Sequence, residues 1–260
     1  MNNDTPAAGR AGFGMYPFEP LRPMYARYWA AIRERAPWLP SALEWDVDLD
    51  EQWVDPTTAI SYTCGWPLVT RLAEYVESGR LKVVGTFVHT VAQADGPTYR
   101  SVLVARRAAL PGDFAGARAA VNGTTSLSGW VSLLHAVHGP GARWEGDVLV
   151  TGEHVESLRA VADGRADIAS IDAVTLAHLR RLMPEVCEGL VEVGAGPRVG
   201  CLPVIAGPMV GVERLAEVQH AFADALAEPS LVDVREALLV EAFVPVGVEH
   251  YMGLPALAPQ

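Results

Sequence analysis

Three short turns in the sequence concentrate hydroxyls and small residues: Tyr62-Thr63-Cys64-Gly65, Thr124-Thr125-Ser126-Leu127-Ser128-Gly129 and Thr151-Gly152-Glu153-His154. Each follows a β-prone run and precedes a helical pattern, so each sits at a helix start. There the first backbone N–H groups lack partners and carry a partial positive charge, and Ser or Thr hydroxyls add donors. The chemistry this suits is the binding of a small oxyanion. The alternative for any one turn is ordinary helix capping; three such turns in one chain favour a site. His154, at the start of its helix, can donate to an anion or carry positive charge toward it. Asp172, at a strand end, can accept from a ligand N–H or O–H, or else cap the helix expected over 174–181. Tyr16, Trp66 and Tyr99 can wall a pocket or belong to the core.

Other combinations point nowhere. Cys64, Cys187 and Cys201 have no CxxC spacing, so they signal neither zinc nor a disulfide framework. His135 and His138 are one helical turn apart, but spacing supplies no third ligand. Gly194-Ala195-Gly196-Pro197 reads as a turn, and neither a P-loop nor a GxSxG elbow occurs. No nucleophile, base and orienting group form a triad. The expectation is a binding protein and not an enzyme, with no cofactor and no metal.

The elements that must position these residues alternate between strand and helix. Strands are expected over 59–62, 82–88, 99–105, 118–121, 147–150, 166–171 and 198–206, the last broken by Pro203. Helices are expected over 24–35, 68–77, 130–137, 153–163, 174–181, 212–226 and 229–237, with Gly79 and Gly164 as stops. Leu110-Pro111-Gly112-Asp113 reads as a turn, and the acidic run Glu44 to Glu51 as a solvated face. The pattern is α/β.

At 260 residues, half of them apolar, the chain can bury one large core or two modest ones. A formal charge of -11 sets it against nucleic acid and anionic lipid. The start, Met1-Asn2-Asn3-Asp4-Thr5-Pro6, has neither a cationic nor an apolar export segment, and no stretch approaches the roughly 18 apolar residues of a membrane span. As written, the chain is expected to be cytoplasmic, or periplasmic if a leader is missing, without membrane insertion.

Four motifs together resemble the substrate-binding proteins of phosphate, phosphite and phosphonate ABC transporters. They are Tyr62-Thr63-Cys64-Gly65-Trp66-Pro67-Leu68; Tyr99-Arg100-Ser101-Val102-Leu103-Val104; Val121-Asn122 through Ser126-Leu127-Ser128-Gly129-Trp130; and Gly152-Glu153-His154-Val155-Glu156-Ser157-Leu158 with Ala166-Asp167-Ile168-Ala169-Ser170-Ile171-Asp172. The resemblance implies a two-lobed type II periplasmic-binding-protein fold: two mixed sheets with flanking helices, two crossing strands, and the ligand in the cleft. Mapped here, lobe one is residues 1–105 plus 204–260 and lobe two is 106–203. The ligand residues it implies are Ser126, Ser128, Gly129, His154 and Asp172 from lobe two, with Tyr16, Thr63, Cys64 and Tyr99 from lobe one. Trp66 departs from the tyrosine usual at its position.

The function implied is capture of a small oxyanion, a phosphonate, phosphite or phosphate, by lobe closure. The protein would be a monomer serving an ABC permease. Two other readings use the same fold: a cytoplasmic ligand sensor, and an enzyme similar to pyrimidine-precursor synthases that consumes His154.

Overall fold

The computed structural model describes residues 9–109 and 114–258. The segment Met1 to Pro6 and the Leu110-Pro111-Gly112-Asp113 turn lie outside these. In chain order the strands are β1 (Arg10–Ala11), β2 (Thr58–Tyr62), β3 (Lys82–His89), β4 (Thr98–Tyr99), β5 (Val102–Arg106), β6 (Ala119–Val121), β7 (Val148–Val150), β8 (Ile168–Ile171), β9 (Leu190–Ala195), β10 (Val199–Gly200), β11 (Pro203–Ala206) and β12 (Val240–Val244). The helices are α1 (Arg22–Arg35), α2 (Leu49–Val54), α3 (Gly65–Val69), α4 (Ala73–Glu77), α5 (Ser132–His138), α6 (His154–Ala162), α7 (Ala173–Leu182), α8 (Val212–Ala227) and α9 (Val232–Leu238).

The chain divides into two compact units, Met1–Thr90 with Gly200–Met252 and Val91–Val199 with Gly253–Gln260. The sequence reading divides the lobes at 105/106 and 203/204. In the structure β5 is an interior strand of the second unit's sheet, antiparallel to both β8 and β9. Cys201 and Leu202 are likewise tied into the first unit: Tyr251 Oη donates to the Cys201 carbonyl at 2.8 Å and Thr86 Oγ1 to the Leu202 carbonyl at 2.7 Å.

Unit one is built on a sheet of order β1-β2-β11-β3-β12, mixed because β1 and β2 pair in parallel and the other neighbours pair antiparallel. Tyr25, Tyr28, Trp29 and Ile32 recur at helical spacing along α1 and are buried, with α8 packed beside them. Phe222 of α8 is the meeting point. Its ring lies 6.1 Å from Phe13, 5.8 Å from Tyr28 and 4.9 Å from Phe243, and its carbonyl accepts the Tyr28 hydroxyl at 2.8 Å.

Unit two has the order β7-β6-β8-β5-β9, in which β7, β6 and β8 are parallel neighbours. Its core joins Leu103, Ala119, Val121, Leu133 and Ile168. Because β7, β6 and β8 point the same way, the turns that follow them emerge side by side at the carboxyl edge of the sheet. A two-stranded ribbon pairs β4 with β10.

Several elements differ from the sequence reading. The helix expected over 68–77 is two short ones, α3 and α4, starting at Gly65. The strand expected over 99–105 is interrupted at Arg100 and Ser101, whose backbone groups bond to Gln93 and Gly196 instead of a ladder. The acidic run holds α2, capped by Asp48, and Glu44, Asp46 and Asp50 pair with Arg10, Arg22 and Arg71. Strands β9 and β12 carry no strong strand signal. β9 is half-exposed and ends in Gly194-Ala195, while β12 follows α9 through Leu239, which takes the left-handed conformation (φ 55°) that usually advertises itself as glycine.

Replacing Phe222 with alanine is expected to cost about 3–5 kcal/mol in denaturant unfolding, the range for emptying a packed aromatic site. Val212→Ala, at a 74 % exposed side chain, should change stability by less than about 0.5 kcal/mol.

Candidate functional site

The serine-rich turn after β6 is closed by its own hydrogen bonds. Ser126 Oγ accepts from Gly129 N–H at 3.0 Å, and the Ser126 carbonyl accepts from the N–H groups of Trp130 and Val131. The second of these spans five residues, so Leu127–Val131 forms a π-turn that runs directly into α5. Such wide turns cost helical regularity and recur at functional sites. The tight approach requires glycine at 129, since a Cβ there would come within 1.9 Å of Asn122 Oδ1.

Ser128 is the centre of the arrangement. Its Oγ lies 2.9 Å from His154 Nε2, and its carbonyl accepts from Ser170 Oγ of β8 at 2.6 Å. The two strands flanking β6 thus hold one serine, β8 through Ser170 and β7 through the turn that carries His154. That turn is itself braced, with Thr151 Oγ1 donating to the Val121 carbonyl at 3.0 Å and sharing a 2.7 Å bond with Ser157 Oγ.

His154 opens α6, and its Nδ1 is buried without a hydrogen-bond partner. Burial pushes the imidazole below its ordinary pKa, and the nearby Asp172 carboxylate opposes that shift without overcoming it. The resting side chain is therefore neutral near pH 7. Asp172 is 3 % exposed and caps α7, its Oδ1 accepting from Thr175 N–H at 2.8 Å. Ser126, Ser128, Gly129, His154 and Asp172 thus gather in unit two, where hydroxyls, an imidazole and a helix start meet.

The remaining candidates are placed as follows. Tyr99, in β4, also belongs to unit two and is buried. Tyr16, Thr63 and Cys64 belong to unit one. Tyr16 is buried with its ring edge-on to Tyr62 at 5.7 Å and to His89 at 6.0 Å, so it also serves the core. Thr63 is buried just beyond β2, its N–H donating to the Pro203 carbonyl at 3.0 Å. Cys64 is partly exposed at the start of α3 and gives that helix no side-chain cap. His138 packs its ring edge-on to Trp144 at 5.0 Å, and among the described residues no group of three or more His, Cys, Asp or Glu could hold a metal ion.

Two residues of this cluster were not singled out by type and spacing: Ser170 and Asn122. Ser170 left a signal, being the one hydroxyl in the buried run Ile168-Ala169-Ser170-Ile171. Asn122 follows β6 directly, where a short polar side chain is easily read as a plain turn former.

The depressed pKa of His154 links folding to pH. Below the ordinary histidine value of 6.5 the unfolded chain takes up a proton that the folded imidazole resists. Stability is then present above 6.5 and lost as pH falls toward the folded pKa. Urea unfolding from about pH 7.5 down to about pH 5.5 is expected to show this loss, and His154→Gln, which cannot titrate, should reduce the slope.

The family model described as "ABC transporter, phosphonate, periplasmic substrate-binding protein" matches residues 69–251. Tyr16, Thr63 and Cys64 precede that match. No curated protein matches the chain by sequence. Among solved structures, the chain is similar to a binding-protein component of an ABC phosphonate transporter from Pseudomonas aeruginosa, with 14 % identity, a TM-score of 0.71, and 96 % of this chain and 85 % of that chain covered. It is similar also to PhnD1 from Prochlorococcus marinus in complex with methylphosphonate, at 10 % identity and TM-score 0.76, covering 97 % of each. An ancestral arginine-binding protein bound to arginine shares the architecture at TM-score 0.58 and 13 % identity, with 87 % of this chain and 96 % of that chain covered. The architecture common to these structures, a type II periplasmic-binding-protein fold, therefore accommodates ligands as different as a phosphonate and an amino acid, and the more specific statement comes from the sequence match: the chain belongs to the family of periplasmic substrate-binding proteins of phosphonate ABC transporters.

Proposed function

We propose that this protein captures a small tetrahedral phosphorus oxyanion, a phosphonate, phosphite or phosphate, and presents it to an ABC permease. The observation that carries the reading is the part-buried 2.9 Å pair of Ser128 Oγ and His154 Nε2 at the start of a helical segment running from Leu127 to His138. A hydroxyl, an imidazole and a helix start suit an oxyanion, and the serine–histidine pair lacks the orienting hydrogen bond of a catalytic triad, since His154 Nδ1 has no partner. The family consists of transporter binding proteins, not enzymes, and works in the periplasm; both properties are carried over to this chain as part of the proposal. Membership also implies a permease partner, to which the chain is proposed to deliver ligand as a monomer. Among the described residues no helix is long and apolar enough to cross a membrane.

In this reading Ser126, Ser128, Gly129 and His154 hold the oxyanion. Asp172 accepts from a proton or amine that the ligand carries, and Tyr16, Thr63, Cys64 and Tyr99 are further contacts. PhnD1 from Prochlorococcus marinus, in complex with methylphosphonate, supports the choice of phosphorus ligands to test.

Calorimetric titration with methylphosphonate, phosphite, 2-aminoethylphosphonate and phosphate is expected to give binding at micromolar Kd or tighter for at least one. Heat from none of the four would overturn the phosphorus assignment. Ser128→Ala removes one hydrogen bond to a charged ligand and should weaken binding about tenfold to a hundredfold, with the unfolding midpoint near that of the unsubstituted protein.

A further inference from the structure

Asn122 is the first residue after β6, and its side-chain oxygen is buried without a hydrogen-bond partner. That oxygen lies against Gly129, where a Cβ would come within 1.9 Å of it and within 3.2 Å of Ser126 Oγ. An acceptor with no donor in the resting fold is unfavourable, and such a group persists where something outside that fold satisfies it. Donors near it are given elsewhere. Gly129 N–H is given to Ser126 Oγ, Trp130 and Val131 N–H to the Ser126 carbonyl, and no Lys or Arg occurs from 119 to 138.

An acceptor inside an oxyanion site constrains the ligand. A fully ionised phosphonate presents only acceptors and is repelled by the Asn122 oxygen, whereas the singly protonated form offers a P–OH donor along with its charge. Asp172 adds a second acceptor to the same residue cluster, with its carboxylate acting on His154. His154 from α6 and Asp172 from the β8–α7 turn are the titratable groups here, and the segment from Asn122 to Ser132 carries none.

We propose that Asn122 is a further ligand-contacting residue, its side-chain oxygen accepting a hydrogen bond from a hydroxyl on the ligand's phosphorus, so that the site takes the oxyanion in its singly protonated form. This rests on the phosphonate reading above and adds a selectivity for protonation state to it.

The test is calorimetric titration of methylphosphonate into the unsubstituted protein, Asn122→Ala and Asn122→Asp, at about pH 6 and about pH 8, with a thermal melt of each. The unsubstituted protein should bind more tightly at the lower pH. Asn122→Ala should lose about tenfold in affinity there and show a flattened pH dependence, because its remaining preference comes only from His154 and Asp172. Asn122→Asp fills the same space, so a role limited to packing against Gly129 would leave it unaffected. As a contact residue it should bind weakly at the higher pH, where its own charge meets the anion. Folded Asn122→Ala with the affinity and pH profile of the unsubstituted protein overturns the proposal. Should that variant not fold, Asn122→Asp binding like the unsubstituted protein at both pH values overturns it equally. If the unsubstituted protein binds no phosphorus oxyanion at either pH, it is the phosphonate reading that fails, and the protonation selectivity with it.

Discussion

A hydroxyl and an imidazole that hydrogen-bond each other inside a loop cluster have both given up part of their hydration, and the arrangement persists only where the backbone holds each in place. For Ser128 and His154 that holding is done by three adjacent parallel strands. β6 delivers the serine loop, β7 delivers the histidine through a turn braced back onto the Val121 carbonyl, and β8 pins the Ser128 carbonyl through Ser170. If any one of these strands shifts in register, the pair separates. The site is in this sense a property of the parallel sheet edge more than of the turns themselves.

As the proposed anion contact, the same pair reconciles the global charge of the chain with an anionic ligand. At -11 the protein repels anions at long range, and its arginines are largely committed to carboxylates, as in Arg10 with Glu44 and Asp55, Arg22 with Asp46, and Arg118 with Asp167. Those exposed pairs contribute little to stability. In the proposed function they leave the serine loop, which has no cationic side chain of its own, to attract an anion with oriented dipoles and a polarisable imidazole. A neutral dipolar site discriminates by geometry and by proton placement more than by net charge.

Much of this architecture was legible in the residues. Valine-rich runs marked β3 and β5, and the periodicity of Tyr25, Tyr28, Trp29 and Ile32 marked α1. The order of hydroxyl turns marked the family that residues 69–251 go on to match. Other elements left weak traces for identifiable reasons. β9 is a half-exposed edge, β12 begins after a leucine in the left-handed conformation, and α2 hides in an acidic run whose charges are neutralised by arginines distant in sequence.

The sequence by itself determined the class of fold, the helix starts and the residue types offered at them, because those follow from local periodicity, glycine placement and capping chemistry. Which of those residues meet was decided only by the tertiary structure. Ser128 and His154 are 26 positions apart and Ser128 and Ser170 are 42 apart, and a strand order of β7-β6-β8 is needed to join them. The burial that keeps His154 neutral and leaves the Asn122 oxygen without a partner belongs to that same level, since desolvation is a property of neighbours brought together across the sheet and not of any residue's own place in the chain.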